Sequence, residues 1–195
     1  MKHKLPSYLF LFSISGAIIA LDQWTKWLVR QHIPYTGQWL PQSLDWLMPY
    51  ARIVHWQNSG AAFGLFQSGS WIFGSLAVVV IGAIVYFYGQ VDQREWGMRV
   101  AMAMQLAGAA GNLIDRLLFD GKVTDFISVG NFPVFNVADA SITLGVAVLV
   151  LDVWIKERKE KKNREQMAGN SEQSSVGSDS VPDAVSKPEQ GANAS

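Results

Sequence analysis

Long apolar stretches, separated by short polar ones, dominate the chain up to about residue 155. Four of them approach the length of about 20 apolar residues that a helix needs to cross the ~30 Å hydrocarbon core of a bilayer. The first two stretches start at Tyr8 and Trp71, and the third and fourth end near Leu118 and Ile155. The pattern predicts an all-α membrane protein with four transmembrane helices.

Basic residues near the ends of these spans predict their orientation. They precede the first span, lie between the second and third, and follow the fourth, and they are Lys2, Lys4, Arg94, Arg99 and six residues between 156 and 164. Because cytoplasmic flanks carry the excess of Lys and Arg, both termini are expected in the cytoplasm. The loops at about 32–70 and 119–137 are then expected to face outward.

The basic start of the first span also fits a cleavable signal peptide. No clear A-x-A site follows, and the helical pattern continues through Trp24, Trp27 and Leu28, so a retained span is the favoured interpretation. We expect one membrane domain at residues 1–157 and a cytoplasmic tail at 158–195. The tail begins highly charged and is predicted to be disordered beyond about Glu165, where large apolar residues are few.

The outer loop at 32–70 has a different character from the tail. It holds Trp46, Ile53, Val54 and Trp56 in a short pattern that favours strands and contact with the membrane surface. A small β-containing region is therefore expected on the outer side, between the first two spans.

Composition excludes several kinds of chemistry. The chain has no cysteine, so disulfides and thiolate sites are excluded, and its three histidines are scattered without an HExxH pattern. We therefore expect no metal and no cofactor. The net charge of +0 averages apolar spans with a charged tail, and nothing in it suggests a nucleic-acid partner.

Unusual polar residues collect at the outer membrane boundary, where ionisable groups in or beside spans are costly and usually functional. They are Asp22, Lys26, Asn58, Asn112, Asp115, Arg116, Asp125, Asn136 and Asp139. Structural roles are also open. Asp22 and Lys26 could neutralise each other at i,i+4, Asp115 and Arg116 could pin the end of the third helix, Asn58 and Asn136 could form turns, and Asp139 could be an N-cap.

Asp125 and Asp139 favour a chemical role if they lie close together. Two carboxylates at the edge of a low-dielectric region cannot both ionise cheaply, so they share one proton. Such a pair offers a base and an acid at the same pH, which is the logic of aspartic proteases.

Four segments resemble the motifs of lipoprotein signal peptidase, also called signal peptidase II. They are LDQWTK from Leu21, NSGAAFG from Asn58, GNLIDRLLFDGKVTDFI from Gly111 and FNVADASITLG from Phe135. The resemblance covers roughly residues 8–157 and includes the four-span layout. Thr124 departs from it, because the family often has an apolar residue there.

The resemblance implies an intramembrane aspartic peptidase of the bacterial plasma membrane, acting at its outer face. Its substrates are prolipoproteins modified with diacylglycerol, and its partners are this substrate and membrane lipid. Asp125 and Asp139 match the catalytic pair. Substrate-binding or supporting positions are matched by Asp22, Lys26, Asn58, Gly60, Asn112, Asp115, Arg116 and Asn136. We expect the enzyme to act as a monomer.

Two rivals belong to other classes. A small proton- or ion-coupled transporter would use Asp22 and Asp139 as a charge relay, but transporter sites usually lie near the midplane between repeated halves, and no repeat is visible. A non-catalytic membrane scaffold would use the outer loop as its binding surface, and nothing in the sequence requires this.

Overall fold

The computed structural model describes residues 4–60 and 70–177. These residues form four long α-helices and a small sheet. In chain order the elements are α1 (Lys4–His32), β1 (Gln38–Trp39), a 3-10 helix (Gln42–Leu47), β2 (Ala51–Asn58), α2 (Ser70–Tyr88), α3 (Trp96–Leu118), β3 (Val123–Val129) and α4 (Val137–Gly177).

Within the described residues, three of the four helices are long and apolar enough to cross a membrane, namely α1, α2 and α4. The predicted second span, Trp71 to Tyr88, agrees with α2 to within one residue. The third, α3, has 23 residues but is not among the helices that meet these criteria. Its sequence explains this, because Arg99, Asn112 and Asp115 lie within it and are buried rather than exposed to lipid.

The position of Arg99 differs from the prediction. The sequence pattern assigned it to the loop before the third span, whereas it lies inside α3 and is buried. Its Nε donates to the Tyr88 hydroxyl at 3.0 Å, and its guanidinium lies 4.8 Å from the centre of the Phe10 ring. These contacts give a buried cation hydrogen bonds and aromatic neighbours, so it tethers α3 to α1 and α2.

The sheet is antiparallel with the strand order β1-β2-β3. Two of its strands, β1 and β2, come from the loop at 32–70, which confirms the expectation of strands there. The third, β3, comes from the loop between α3 and α4, and the sequence pattern did not predict it. In the ladder Trp56 of β2 lies opposite Asp125 of β3, so the sheet holds Asp125 in a fixed place.

Two apolar clusters hold this frame together. One joins α1, α2 and α3 through Leu11, Ile84 and Leu106, and the other joins α1 to β3 through Val29 and Phe126. Apolar side chains on the outer surface of α2, including several that are more than half exposed, suit a helix that faces lipid.

Small residues of α3, namely Ala103, Ala107 and Gly111, form a helix-packing surface. Ala103 and Ala107 are fully buried. A Cβ added at Gly111 would lie 2.8 Å from Oδ2 of Asp22 and 3.2 Å from the Cβ of Ala138. Only glycine at this position allows α3 to approach α1 and α4 this closely.

The chain divides into two compact units, one ending at Asp152 and the other beginning at Val153. The helical assignment continues to Gly177, beyond Glu165, where the pattern predicted disorder. Glu, Lys, Gln, Met and Ala favour helix, and Glu160 pairs with Arg164 one turn later at 3.7 Å. The rest of the tail lies outside the described residues.

Candidate active site

Asp139 lies in the first turn of α4 and is hydrogen-bonded to Asn136, the residue before the helix. The amide N–H of Asp139 donates to Oδ1 of Asn136 at 2.9 Å, and the N–H of Asn136 donates to Oδ2 of Asp139 at 3.2 Å. This reciprocal pair is a capping box. The N-cap is therefore Asn136 and not Asp139, which corrects the alternative role considered for Asp139. The other oxygen of Asp139 accepts from Nδ2 of Asn112 at 2.7 Å.

Asp125 lies inside β3 and is almost completely buried, with 1% of its surface exposed. Burial, the largest cause, and the negative charge of Asp139 together raise the pKa of this carboxyl from 3.8 to about 6. Hydrogen bonds from Asn58 and Asn136 and the charge of Lys26 oppose the rise. The two aspartates, 14 positions apart in the sequence, therefore interact electrostatically in the fold.

Asn136 joins the two aspartates directly. While its main chain and Oδ1 bind Asp139, its Nδ2 donates to Oδ1 of Asp125 at 2.7 Å and to Oδ1 of Asn112 at 3.1 Å. Its side chain is fully buried, so these bonds replace those that water would make. The structure thus brings Asp125, Asp139, Asn112 and Asn136 into one hydrogen-bonded group.

A buried charge cluster lies next to this group. Lys26 is fully buried, with its Nζ 2.9 Å from Oδ2 of Asp22 and 3.5 Å from Oδ2 of Asp115. The same Nζ donates to Oδ1 of Asn112 at 3.1 Å, and through Asn112 the cluster contacts Asp139. Asp22 and Lys26 are thus an i,i+4 pair, as the structural alternative supposed, but the pair also ties α1 to α3.

Asp22 and Asp115 support neighbouring elements with their remaining oxygens. Oδ1 of Asp22 accepts from the N–H of Ala138 at 2.9 Å, which satisfies another free donor at the start of α4. Oδ2 of Asp115 accepts from the N–H of Thr124 at 2.8 Å. Asp115 therefore fixes β3 to α3, which is more than the helix-end role expected for it.

Arg116 follows Asp115 on the site side of α3. Its Nη1 donates to the carbonyl of Asn112 at 3.3 Å, and its guanidinium lies 5.6 Å from the centre of the Phe73 ring. It interacts electrostatically with both Asp125 and Asp139. Within residues 4–60 and 70–177, its buried Nε has no hydrogen-bond partner, so a donor is available beside the two carboxylates.

Asn58 and Gly60 form the turn at the end of β2. The N–H of Gly60 donates to Oδ1 of Asn58 at 2.8 Å, which confirms a turn role for Asn58, and Asn58 also hydrogen-bonds Asp125. Gly60 has φ of +78°, and a Cβ there would lie 2.5 Å from the Phe73 ring. Residues 61–64 of the same motif lie outside the described residues.

Three further residues contact this network without having been predicted as site residues. Nε2 of Gln23 donates to Asp22, to Asp115 and to the carbonyl of Gly111 at 3.0–3.1 Å. Nη1 of Arg30 donates to Oγ1 of Thr124 at 3.0 Å. A signal for Arg30 was present, because Asp22, Lys26 and Arg30 recur every four residues and so share one face of α1.

The chain matches the family model described as signal peptidase (SPase) II over residues 14–155. It belongs to the signal peptidase II family. A lipoprotein signal peptidase of Halalkalibacterium halodurans is 37% identical over 157 residues, which cover 78% of this chain and 97% of that relative. A lipoprotein signal peptidase of Listeria monocytogenes is 36% identical, covering 78% of this chain and 98% of the relative.

A solved structure of a bacterial membrane enzyme has the same fold. It superposes with a TM-score of 0.67 at 30% identity, covering 77% of this chain and 90% of the other. As a member of the signal peptidase II family, the chain is a membrane-bound peptidase of a family that acts on prolipoproteins. The matched region ends at Ile155, so most of the charged tail lies beyond it.

Proposed function

We propose that this chain is an aspartic endopeptidase that removes the signal peptide from diacylglyceryl-modified prolipoproteins, with Asp125 and Asp139 as its catalytic pair. One observation carries the proposal. Asn136 hydrogen-bonds both carboxyl groups, and the pKa of Asp125 is raised to about 6 by burial and by the charge of Asp139. The pair can therefore hold a single proton near neutral pH, as acid–base hydrolysis of a peptide bond requires.

The chemistry follows from that proton. A water molecule between the carboxyl groups gives a proton to ionised Asp139 while its oxygen attacks the scissile carbonyl carbon, and protonated Asp125 donates to the carbonyl oxygen. The resulting tetrahedral diol has no net charge. It breaks down when the C–N bond cleaves, the leaving nitrogen takes the proton from Asp139, and one diol hydroxyl returns a proton to Asp125.

The surrounding residues have supporting roles in this proposal. Asn112 and Asn136 orient the carboxyl groups, while Asp22, Lys26 and Asp115 hold α1, α3 and the start of α4 around them. The Nε of Arg116, which has no hydrogen-bond partner among residues 4–60 and 70–177, is suited to donate to a backbone carbonyl of the substrate. Asn58 and Gly60 shape the edge of the site at the end of β2.

The proposed topology has four spans, with α3 as the third in chain order. Its polar residues are buried against neighbouring elements, so a helix too polar to face lipid can still cross the membrane inside the bundle. The basic flanks support an orientation with both termini in the cytoplasm and the aspartates at the outer interface. A diacylglyceryl group would remain in the outer leaflet, which brings the scissile bond to the site. We propose a monomer, with residues 1–157 as the catalytic domain and 158–195 as the tail.

The test is cleavage of a purified, diacylglyceryl-modified prolipoprotein by the full-length chain in lipid. Asp125→Asn and Asp139→Asn should each abolish cleavage while the protein remains in the membrane at its normal level. Asp45→Asn is the matched control, because Asp45 is an exposed aspartate of the outer loop. Substantial cleavage by either site variant would refute the assignment.

A further inference from the structure

Thr124, the residue before Asp125, is bound by residues of α1 and α3 and by the N-cap residue of α4. Its N–H donates to Oδ2 of Asp115 in α3, and its carbonyl accepts from Nδ2 of Asn136 at the start of α4, at 2.8 and 3.4 Å. Its hydroxyl accepts from Nη1 of Arg30 in α1 at 3.0 Å. Thr124 is 2% exposed, so water does not compete for these bonds. Because the Thr124 carbonyl and the Asp125 N–H share one planar peptide, holding the carbonyl also holds the peptide plane from which Asp125 extends.

The guanidinium of Arg30 is itself held in place. It lies 4.4 Å from the centre of the Phe119 ring, and its Nη1 is 3.8 Å from Oδ2 of Asp115. Its side chain is 18% exposed. A planar cation held between a ring and a carboxylate has few alternative orientations, so its bond to the Thr124 hydroxyl is directional.

We propose that Arg30 is a positioning residue for the reaction, acting through the Thr124 hydroxyl to set Asp125 against Asp139. The inference rests on the proposed function, because it assigns a purpose to a contact beside the proposed catalytic pair. Thr124 stands where the family motif often has an apolar residue. An apolar side chain could fill the same volume but could not accept the bond, so the Arg30–Thr124 bond is an additional constraint in this chain.

A purely structural role would give a different result from a positioning role. Loss of a structural tie lowers stability and leaves the turnover of the folded enzyme unchanged. Loss of a positioning tie lowers kcat and leaves KM unchanged, because neither side chain is assigned to substrate binding. The other two ties of Thr124 remain, so we expect a loss in kcat of about tenfold, smaller than the ~100-fold that a 1 Å misplacement can cause.

The experiment compares Thr124→Val, Thr124→Ser, Arg30→Ala and the double variant Arg30→Ala/Thr124→Val in the full-length chain. Valine keeps the shape of threonine and removes the hydroxyl, whereas serine keeps the hydroxyl. Thr25→Val is the matched control, since the bonds of the Thr25 hydroxyl within the described part of the chain go to the carbonyls of Leu21 and Asp22 in its own helix. For each variant kcat, KM and the thermal unfolding midpoint are measured on the lipidated prolipoprotein.

The inference predicts that Thr124→Val and Arg30→Ala each lower kcat by about tenfold and that the double variant is no slower than either single one, because all three lose the same bond. Thr124→Ser and Thr25→Val should stay within about twofold of the wild type. A normal kcat for Thr124→Val, or multiplied losses in the double variant, would overturn the inference. If Arg30→Ala does not accumulate, the valine and serine variants decide.

Failure of the proposed function would look different. In that case the wild type would not cleave the lipidated substrate, or Asp125→Asn would cleave it, and this inference would fall as well. If the wild type is active, Asp125→Asn is inactive and Thr124→Val has a normal kcat, only the inference is overturned.

Discussion

Replacing Asn136 with serine should shift the pH dependence of cleavage upward. Serine caps a helix about as well as asparagine, so the bond from the N–H of Asp139 survives. Serine is too short to replace the 2.7 Å bond from Nδ2 to Asp125. The substitution therefore removes the side-chain hydrogen bond to Asp125 and keeps the hydrogen bond that caps α4.

The magnitude follows from the lost bond. Hydrogen bonds to charged groups contribute about 1.5–3 kcal/mol, and 1.36 kcal/mol corresponds to one pH unit. The bond from Asn136 favours the ionised form of Asp125, so its loss should raise the pKa of Asp125 from about 6 to between about 7 and 8. In the proposed mechanism Asp125 must be protonated, so kcat/KM falls as the pH rises through this pKa.

The assay is kcat/KM for the lipidated prolipoprotein between pH 4.5 and about 9, for the wild type, Asn136→Ser and the control Asn131→Ser. Asn131 is an exposed asparagine of the loop before α4, so its replacement should leave the falling limb near pH 6. For Asn136→Ser, the pH at which kcat/KM falls should be higher than in the wild type, even if the maximal kcat/KM is lower. A limb that stays in place or moves downward would refute the reasoning.

Three further predictions concern the stability of the protein, the space around two glycines and the orientation of the chain in the membrane. Since the pKa of Asp125 is raised to about 6, its contribution to stability is complete below about pH 4 and is lost as the pH rises through about 6. The free energy of unfolding of Asp125→Asn should therefore exceed that of the wild type by about 3 kcal/mol at pH 7, and the difference should vanish near pH 4. Gly60→Ala should reduce cleavage strongly because its Cβ would meet Phe73, whereas Gly130→Ala, with φ of +50° and no atom within 4 Å of the added Cβ, should incur only backbone strain; equal effects of the two variants on kcat/KM would contradict this. The chain has no cysteine, so in intact cells a membrane-impermeant thiol reagent should label Phe132→Cys from outside and should not label Gln93→Cys; the reverse pattern would contradict the proposed orientation.

The sequence predicted those features that depend on local pattern. The apolar lengths of α1, α2 and α4 are visible in a short window, so these spans were found. The helix α3 was found as an apolar segment, but the partners that make Asn112 and Asp115 tolerable there come from α1, β3 and α4. The strand β3 was not predicted, because Thr124, Asp125 and Ser128 interrupt its apolar pattern and its partner β2 is distant in the sequence.

The composition of the site was better predicted than its connections. The two aspartates were singled out because carboxylates at a membrane boundary are costly. The central position of Asn136 was not foreseen, since the direction of an amide depends on which donors and acceptors the fold brings to it. The contact between Arg30 and Thr124 joins residues 94 positions apart, and spacing along the chain gave no sign of it.

The most direct test of the central claim is a pH titration of the protonated carboxyl band by difference infrared spectroscopy. A band with a midpoint near pH 6 should be present in the wild type and absent in Asp125→Asn. In Asp139→Asn the midpoint should fall, because the repelling charge is gone, yet stay above 3.8, because Asp125 is still buried. A wild-type midpoint near 3.8, or a midpoint that Asp139→Asn leaves unchanged, would show that the two carboxyl groups do not share a proton.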